Sequence, residues 1–264
     1  MGTILARAYA PARRALAKGL GAVQVLFDGI WLGVLGRGDL AVVDEAFYRR
    51  HGGAQATYAR DEHNLSGLSD WEARLVDEHF ASGCRVVVTS AGGGREVIAL
   101  AERGFRVEGF EPNEALVDAG RRLIAERGLG ELASLEVSER DAFPAGATES
   151  DAVVVGWGSY IHVQGRARRV SLLRAARERL KPGDPLMLSF WERPGGRYFA
   201  AVRTVASAVR ALRGLEPVEL GDPIRDTYVH VFTRAEVESD LTQAGFSVVE
   251  LRGEPYPHAV GKAI

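Results

Sequence analysis

The residues best placed to do chemistry lie in three short segments. The first is Val86-Val87-Val88-Thr89-Ser90-Ala91-Gly92-Gly93-Gly94-Arg95-Glu96, a β-branched run that breaks into consecutive glycines. Glycine lets a backbone approach a ligand where a side chain would block it. A helix starting just beyond would add free amide donors and positive potential. Seventeen residues after Gly94, Glu111 closes a second apolar run and is followed by Pro112 and Asn113. A carboxylate there can accept hydrogen bonds from both hydroxyls of a ribose. Together, turn and acid point to an adenosine-containing ligand. The third segment is Trp157-Gly158-Ser159-Tyr160-Ile161-His162. Gly158 permits a sharp turn, so Tyr160 and His162 are both expected to face the pocket. Imidazole changes protonation near neutral pH, which makes His162 the natural base, with Tyr160 positioning the substrate. His230, beside Tyr228, is a further candidate to share proton removal.

Composition narrows the remaining chemistry. The chain has 264 residues, 46% hydrophobic and 26% charged, enough for a real core. Its formal net charge of -2 supplies no large positive field for nucleic acid phosphates. Cys84 is the only cysteine, so no disulfide or thiolate metal cluster forms within the chain. None of the six histidines has metal-ligand spacing, and no metal is expected. These features suit a cytoplasmic protein acting on a small molecule, as monomer or homodimer. Leu20 to Leu35 is apolar apart from Gln24 and Asp28. It is too short and interrupted for a membrane span and begins too far in for a signal peptide. A buried or interfacial helix is expected.

Stepping along the chain, Ala10 to Lys18 is rich in helix formers, Asp39 is a candidate cap, and Asp44 to Arg50 predicts a short helix. Ser69 or Asp70 should cap a helix from Trp71 to about Phe80. From Gly83 onward, strand and helix patterns alternate. Strands are expected at 85–89, 105–110, 135–137, 152–156, 186–190, 228–232, 247–251 and 258–263. Helices are expected at 97–103, 113–127, 170–180, 202–212 and 234–244. This rhythm predicts an α/β protein with a parallel sheet covered on both faces.

At these positions the chain resembles the class I S-adenosylmethionine-dependent methyltransferases. That family's acidic-x-Gly-x-Gly-x-Gly motif falls on Val88 to Gly94, with Gly92 and Gly94 matching the last two glycines. Glu111 matches the ribose-binding acid, and Asp141 with Ala142 resembles the adenine contact. Asp151 to Trp157 resembles the fourth strand and its active-site edge. Leu180 to Asp184 resembles the turn before the fifth strand. Phe232-Thr233 and Ala244-Gly245-Phe246 resemble the last helix and final strands. The resemblance implies a Rossmann-like, doubly wound, seven-stranded sheet with an antiparallel last strand, preceded by an N-terminal helical segment. It also implies binding of S-adenosylmethionine and its product S-adenosylhomocysteine by Ser90, Ala91, Gly92, Gly94, Glu111, Pro112, Asn113, Asp141, Ala142, Gly156 and Trp157. Methyl transfer would go to an oxygen, nitrogen or sulfur nucleophile. Val88 and Ser90 depart from the motif, where the family has an acid and a glycine. The carbonyls of Ser90 or Ala91, or a carboxylate such as Glu96, would then hold the methionine ammonium.

The expected organisation is a helical lid or packing segment over 1–70 and the main domain over 71–264, with a helical cap inserted at 194–222. Tyr58, Asp61, Glu62, His63 and Trp71 give the lid its mix of aromatic and polar groups. Two other readings use the same residues. A nicotinamide-dependent oxidoreductase would want a third glycine where Val97 stands. A non-catalytic S-adenosylmethionine-binding module would use the N-terminal helices to hold a partner.

Overall fold

The computed structural model describes residues 21–50 and 57–264; the helix expected over Ala10–Lys18 lies outside them. Among the described residues, chain order opens with α1 (Gly21–Val34), α2 (Arg37–Arg50), α3 (Asp61–Asn64) and α4 (Asp70–His79). Alternation follows with β1 (Arg85–Thr89), α5 (Arg95–Glu102), β2 (Arg106–Glu111), α6 (Glu114–Glu126), β3 (Ala133–Val137) and β4 (Ala152–Val155). A 3-10 turn (Tyr160–His162) leads to α7 (Arg166–Arg177), β5 (Pro185–Ser189) and α8 (Tyr198–Leu212). The chain closes with α9 (Arg234–Gln243), β6 (Phe246–Arg252) and β7 (His258–Ala263). Two compact units result: residues up to 53 with 193–232, and residues 54–192 with 233–264.

The larger unit holds one seven-stranded sheet, ordered β3-β2-β1-β4-β5-β7-β6. The pairs among β1 to β5 are parallel, and β7 runs antiparallel to both β5 and β6. Central strands β4 and β5 are buried at every position, as strands covered on both faces must be. The outer strands β3 and β6 mix buried with exposed residues. Strand order reverses between β1 and β4, so a crevice opens at the carboxyl ends of the strands there. Helix α6 buries Leu116, Val117, Gly120, Leu123 and Ile124, one apolar stripe at helical spacing.

The smaller unit has its own core of Leu32, Leu35, Leu40, Val43, Val202, Ala206, Val218, Ile224 and Tyr228. Helices α1 and α8 meet through Gly29 and Gly33. A Cβ at either glycine would lie 2.6 Å from the Cβ of Val205 or Val209, so only glycine admits this approach. The apolar run thus forms a helix with a packed face, although Val23, Leu26 and Ile30 remain exposed. Asp28 is buried and accepts the Tyr198 hydroxyl.

Three expectations for this unit change. Asp39 lies inside the first turn of α2, where its carboxylate accepts the Gly36 amide at 3.1 Å rather than preceding the helix as a cap. Residues 228–232 form no strand. They make isolated bridges at Tyr228, to Ile224, and at Phe232, and their amides go to local loop carbonyls and to Asp44. Their buried apolar run serves a packed loop as well as it would serve a strand. The expected cap at 194–222 extends over 193–232 and groups with the N-terminal helices instead of with the sheet. Among the described residues no helix is long and apolar enough to cross a membrane.

Candidate functional site

The glycine turn leaves β1 held from both sides. Gly156 donates to the Thr89 carbonyl at 2.8 Å, and Ala91 donates to the Phe110 carbonyl at 2.9 Å. The turn needs left-handed backbone at Ser90 (φ 51), Gly92 (φ 57) and Gly94 (φ 91). Ser90 therefore keeps the backbone conformation of the glycine it replaces, at the strain a non-glycine residue pays there. Each glycine has a different reason to lack a side chain. At Gly92 an added Cβ would meet nothing within 4 Å, so the turn forms a cradle open on that side. At Gly93 it would strike the Tyr58 carbonyl at 2.3 Å and the Asn64 amide at 2.2 Å. At Gly156 it would strike the Ser90 carbonyl at 2.4 Å. Gly94 has ordinary contacts with Leu135, Gly120 and Ile98, so its requirement is conformational.

Glu111 closes the cradle. Its Oε2 accepts the Gly92 amide at 2.9 Å and its Oε1 accepts the Asn113 amide at 3.0 Å. Burial pushes its carboxyl above the ordinary carboxylate range, partly opposed by those two amides. Each oxygen keeps a second lone pair for a ribose hydroxyl. Asn113 also caps α6, its side chain accepting the Ala115 amide at 3.1 Å. Pro112 is half-buried beside it. Asp141, half-buried at φ 59, lies 3.7 Å from Arg168, and Ala142 is exposed.

A buried ionic cluster lies behind the turn. Arg95 binds Glu72 through two hydrogen bonds of 2.6 and 2.8 Å, Glu96 at 3.0 Å and the Gly67 carbonyl at 2.8 Å. Glu72 also accepts the Ser69 amide at 2.7 Å and so completes the capping box of α4. Glu96 accepts the Trp157 amide at 3.0 Å, joining the turn to the end of β4. Sequence reasoning missed this clamp, although Ser69-x-x-Glu72 and the charged pair after the glycines were its visible signal.

Tyr58 and His63 contact edge to face, and Trp71 stacks on His258 at 5.0 Å and on Tyr256 at 5.9 Å. Burial raises the Tyr58 hydroxyl's pKa and lowers that of the His63 ring. Asp61 pairs with Arg122 of α6, so residues 57–71 lean on the glycine turn and its neighbours. Trp157 is 40% exposed, 5.5 Å from Tyr256, whose hydroxyl accepts the Trp191 indole N–H at 2.7 Å. These aromatics follow β4 and β5 and precede β7, on the crevice side of the sheet.

The candidate catalytic residues separate. His162 is half-buried at the end of the 3-10 turn. Tyr160 does not face the pocket as expected. Its side chain is fully buried, and its hydroxyl donates to Asp240 at 3.1 Å beside Arg169. A sharp turn at Gly158 continues as a 3-10 turn, which sends Tyr160 into the core. His230 belongs to the smaller unit, where its Nδ1 lies 2.6 Å from Asp222 and its Nε2 is buried without a hydrogen-bond partner.

No protein-family model matches the chain. A ubiquinone biosynthesis O-methyltransferase from Stutzerimonas stutzeri (strain A1501) is 31% identical over 171 residues, spanning 61% of this chain and 72% of that protein. The CcbJ methyltransferase of Streptomyces caelestis has the same fold with a TM-score of 0.56 and 18% identity, covering 79% of this chain and 98% of its own. The glycopeptide N-methyltransferase MtfA, solved with S-adenosylmethionine, gives a TM-score of 0.53 at 20% identity, covering 78% and 90%.

Proposed function

This chain belongs to the class I S-adenosylmethionine-dependent methyltransferases, and we propose that its acceptor is an oxygen, nitrogen or sulfur nucleophile on a small molecule. The observation that carries the cofactor site is the open cradle at Gly92, whose amide is bridged by Glu111. The cradle suits the adenosine part of the cofactor, with Glu111 on the ribose. Asp141 and Ala142 are proposed for the adenine side. Ser90, Ala91 and Trp157 are proposed for the methionine end. The name of the S. stutzeri relative favours oxygen as the accepting atom. The aromatic group Trp157, Tyr256 and Trp191 supports a planar acceptor, since such rings offer broad apolar faces.

When bound, S-adenosylmethionine supplies a methyl group already activated by its sulfonium charge. The chain's work is to align the partners, exclude water and take the acceptor's proton where there is one to lose. We assign that proton to His162, which follows β4 directly. Tyr160 is left out because its hydroxyl is already committed to Asp240.

The test is transfer of labelled methyl from S-adenosylmethionine to matched aromatic acceptors bearing a hydroxyl, an amine or a thiol. Label should appear on a small acceptor, with the hydroxyl series most active. Label found only on protein or nucleic acid in an extract would contradict the proposal.

A further inference from the structure

We propose that Glu96 receives the α-ammonium group at the methionine end of the cofactor; this rests on the reading that the glycine turn holds S-adenosylmethionine. Val88, where the family's motif has an acid, is fully buried in the apolar core and offers nothing to a cation. Three carboxylates surround the turn, and two have other work. Glu72 is spent on Arg95 and on the Ser69 cap. Glu111 holds the Gly92 and Asn113 amides and keeps its remaining lone pairs for the ribose position. Glu96 is different. Its Oε1 accepts from Arg95 and from the Trp157 amide, each at 3.0 Å, and no described residue donates to its Oε2.

Charge balance points the same way. Arg95 is one cation facing the two carboxylates Glu72 and Glu96, and all three side chains are nearly buried, at 9%, 2% and 6% exposure. That leaves one negative charge without a cation in a desolvated place, which is costly until a cation arrives. The charge lies next to the turn, and its field reaches Glu111, Tyr58 and His63.

An independent observation lies on the other side of the turn. Asn64 is fully buried against Gly93; its Nδ2 donates to the Tyr58 carbonyl at 2.8 Å, while its Oδ1 has no hydrogen-bond partner. Buried amide oxygens are nearly always satisfied, so this one marks a place for a donor. An ammonium group has three N–H donors and can serve more than one acceptor at once.

The experiment compares two ligands by calorimetry on the full chain. S-adenosylhomocysteine carries the amino acid end, and 5′-methylthioadenosine lacks it. Glu96→Gln should weaken S-adenosylhomocysteine by about tenfold to a hundredfold, the range for a hydrogen bond to a charged group. Binding of 5′-methylthioadenosine should change by less than about threefold and thereby reports that the variant is folded. Should the glutamine variant not fold, Glu96→Asp keeps the charge for Arg95 and should show the same selectivity at smaller size. Equal losses for both ligands would make Glu96 a structural residue and overturn the proposal, as would an unchanged S-adenosylhomocysteine affinity. If the unmodified protein binds neither ligand, the cofactor reading itself falls and takes this assignment with it.

Discussion

Glu111 shows how one side chain can shape a site and serve it. Its oxygens hold the amides of Gly92 and Asn113, so turn and strand end are fixed together. Gly94, by contrast, matters for its backbone. An added Cβ there would make ordinary contacts with Leu135, Gly120 and Ile98, and its φ is 91. A side chain at Gly94 would strain the fold first. His162 carries the testable chemistry at this scale. For an acceptor that must lose a proton, the rate should rise with pH as the base deprotonates. His162→Ala should remove that limb and lower the neutral-pH rate by about 10²–10⁴-fold, with S-adenosylhomocysteine affinity near that of the unmodified protein. The pH–rate profile of both proteins at saturating cofactor checks it, and an unchanged profile would remove His162 from this role. The turn, Glu111 and the segment after β4 were legible because glycine runs and strand-end acids act locally. Tyr160 was misread because its direction depends on Asp240, which comes from a helix eighty residues further along. The strained Ser90 gave no signal either, since serine is not the residue type that normally marks φ > 0.

At the level of elements, the strands of the central sheet were readable because they are buried on both faces and rich in β-branched residues. Helix ends were read less well. Helix α7 begins four residues before Val170, since Gly165 rather than an apolar residue marks its start. Residues 228–232 show the limit, as burial without alternation does not separate a strand from a packed loop. The join between α4 and the glycine turn rests on Glu72, which caps its own helix and clamps Arg95. Glu72→Gln should therefore cost about 3–5 kcal/mol, the range for breaking a buried ion pair on one side. Denaturant unfolding measures it. A loss under about 1 kcal/mol would mean the clamp adds nothing beyond an exposed pair.

For the whole molecule, the division into two units was only partly legible. The N-terminal helices were seen, but their grouping with residues 193–232 depends on Gly29 and Gly33 meeting α8, a contact that no local pattern reveals. The expected lid segment also carries Tyr58 and Asn64, which pack against Gly93, so it cannot be removed without disturbing the glycine turn. Global stability should carry the mark of Glu250. Hydrogen bonding from Arg74 is the largest cause holding its carboxyl down to about 2, with further help from His258 and Arg252. Because the folded value lies below the unfolded one, the stabilisation is present above about pH 4.5 and is lost as pH falls toward 2. Glu250→Gln should lower stability by about 1–3 kcal/mol at pH 7 and flatten the stability slope between those pH values. Denaturant melts across that range measure both effects, and an unaltered slope would remove Glu250 from this role.

The central claim is that the turn from Ser90 to Gly94, closed by Glu111, holds S-adenosylmethionine. Calorimetric titration of the unmodified chain and of Glu111→Ala with S-adenosylhomocysteine and with NADH addresses it directly. The account predicts saturable binding of S-adenosylhomocysteine to one site, no comparable binding of NADH, and a loss of about 1–3 kcal/mol in the alanine variant. Tighter binding of NADH, or S-adenosylhomocysteine affinity indifferent to Glu111, would contradict it.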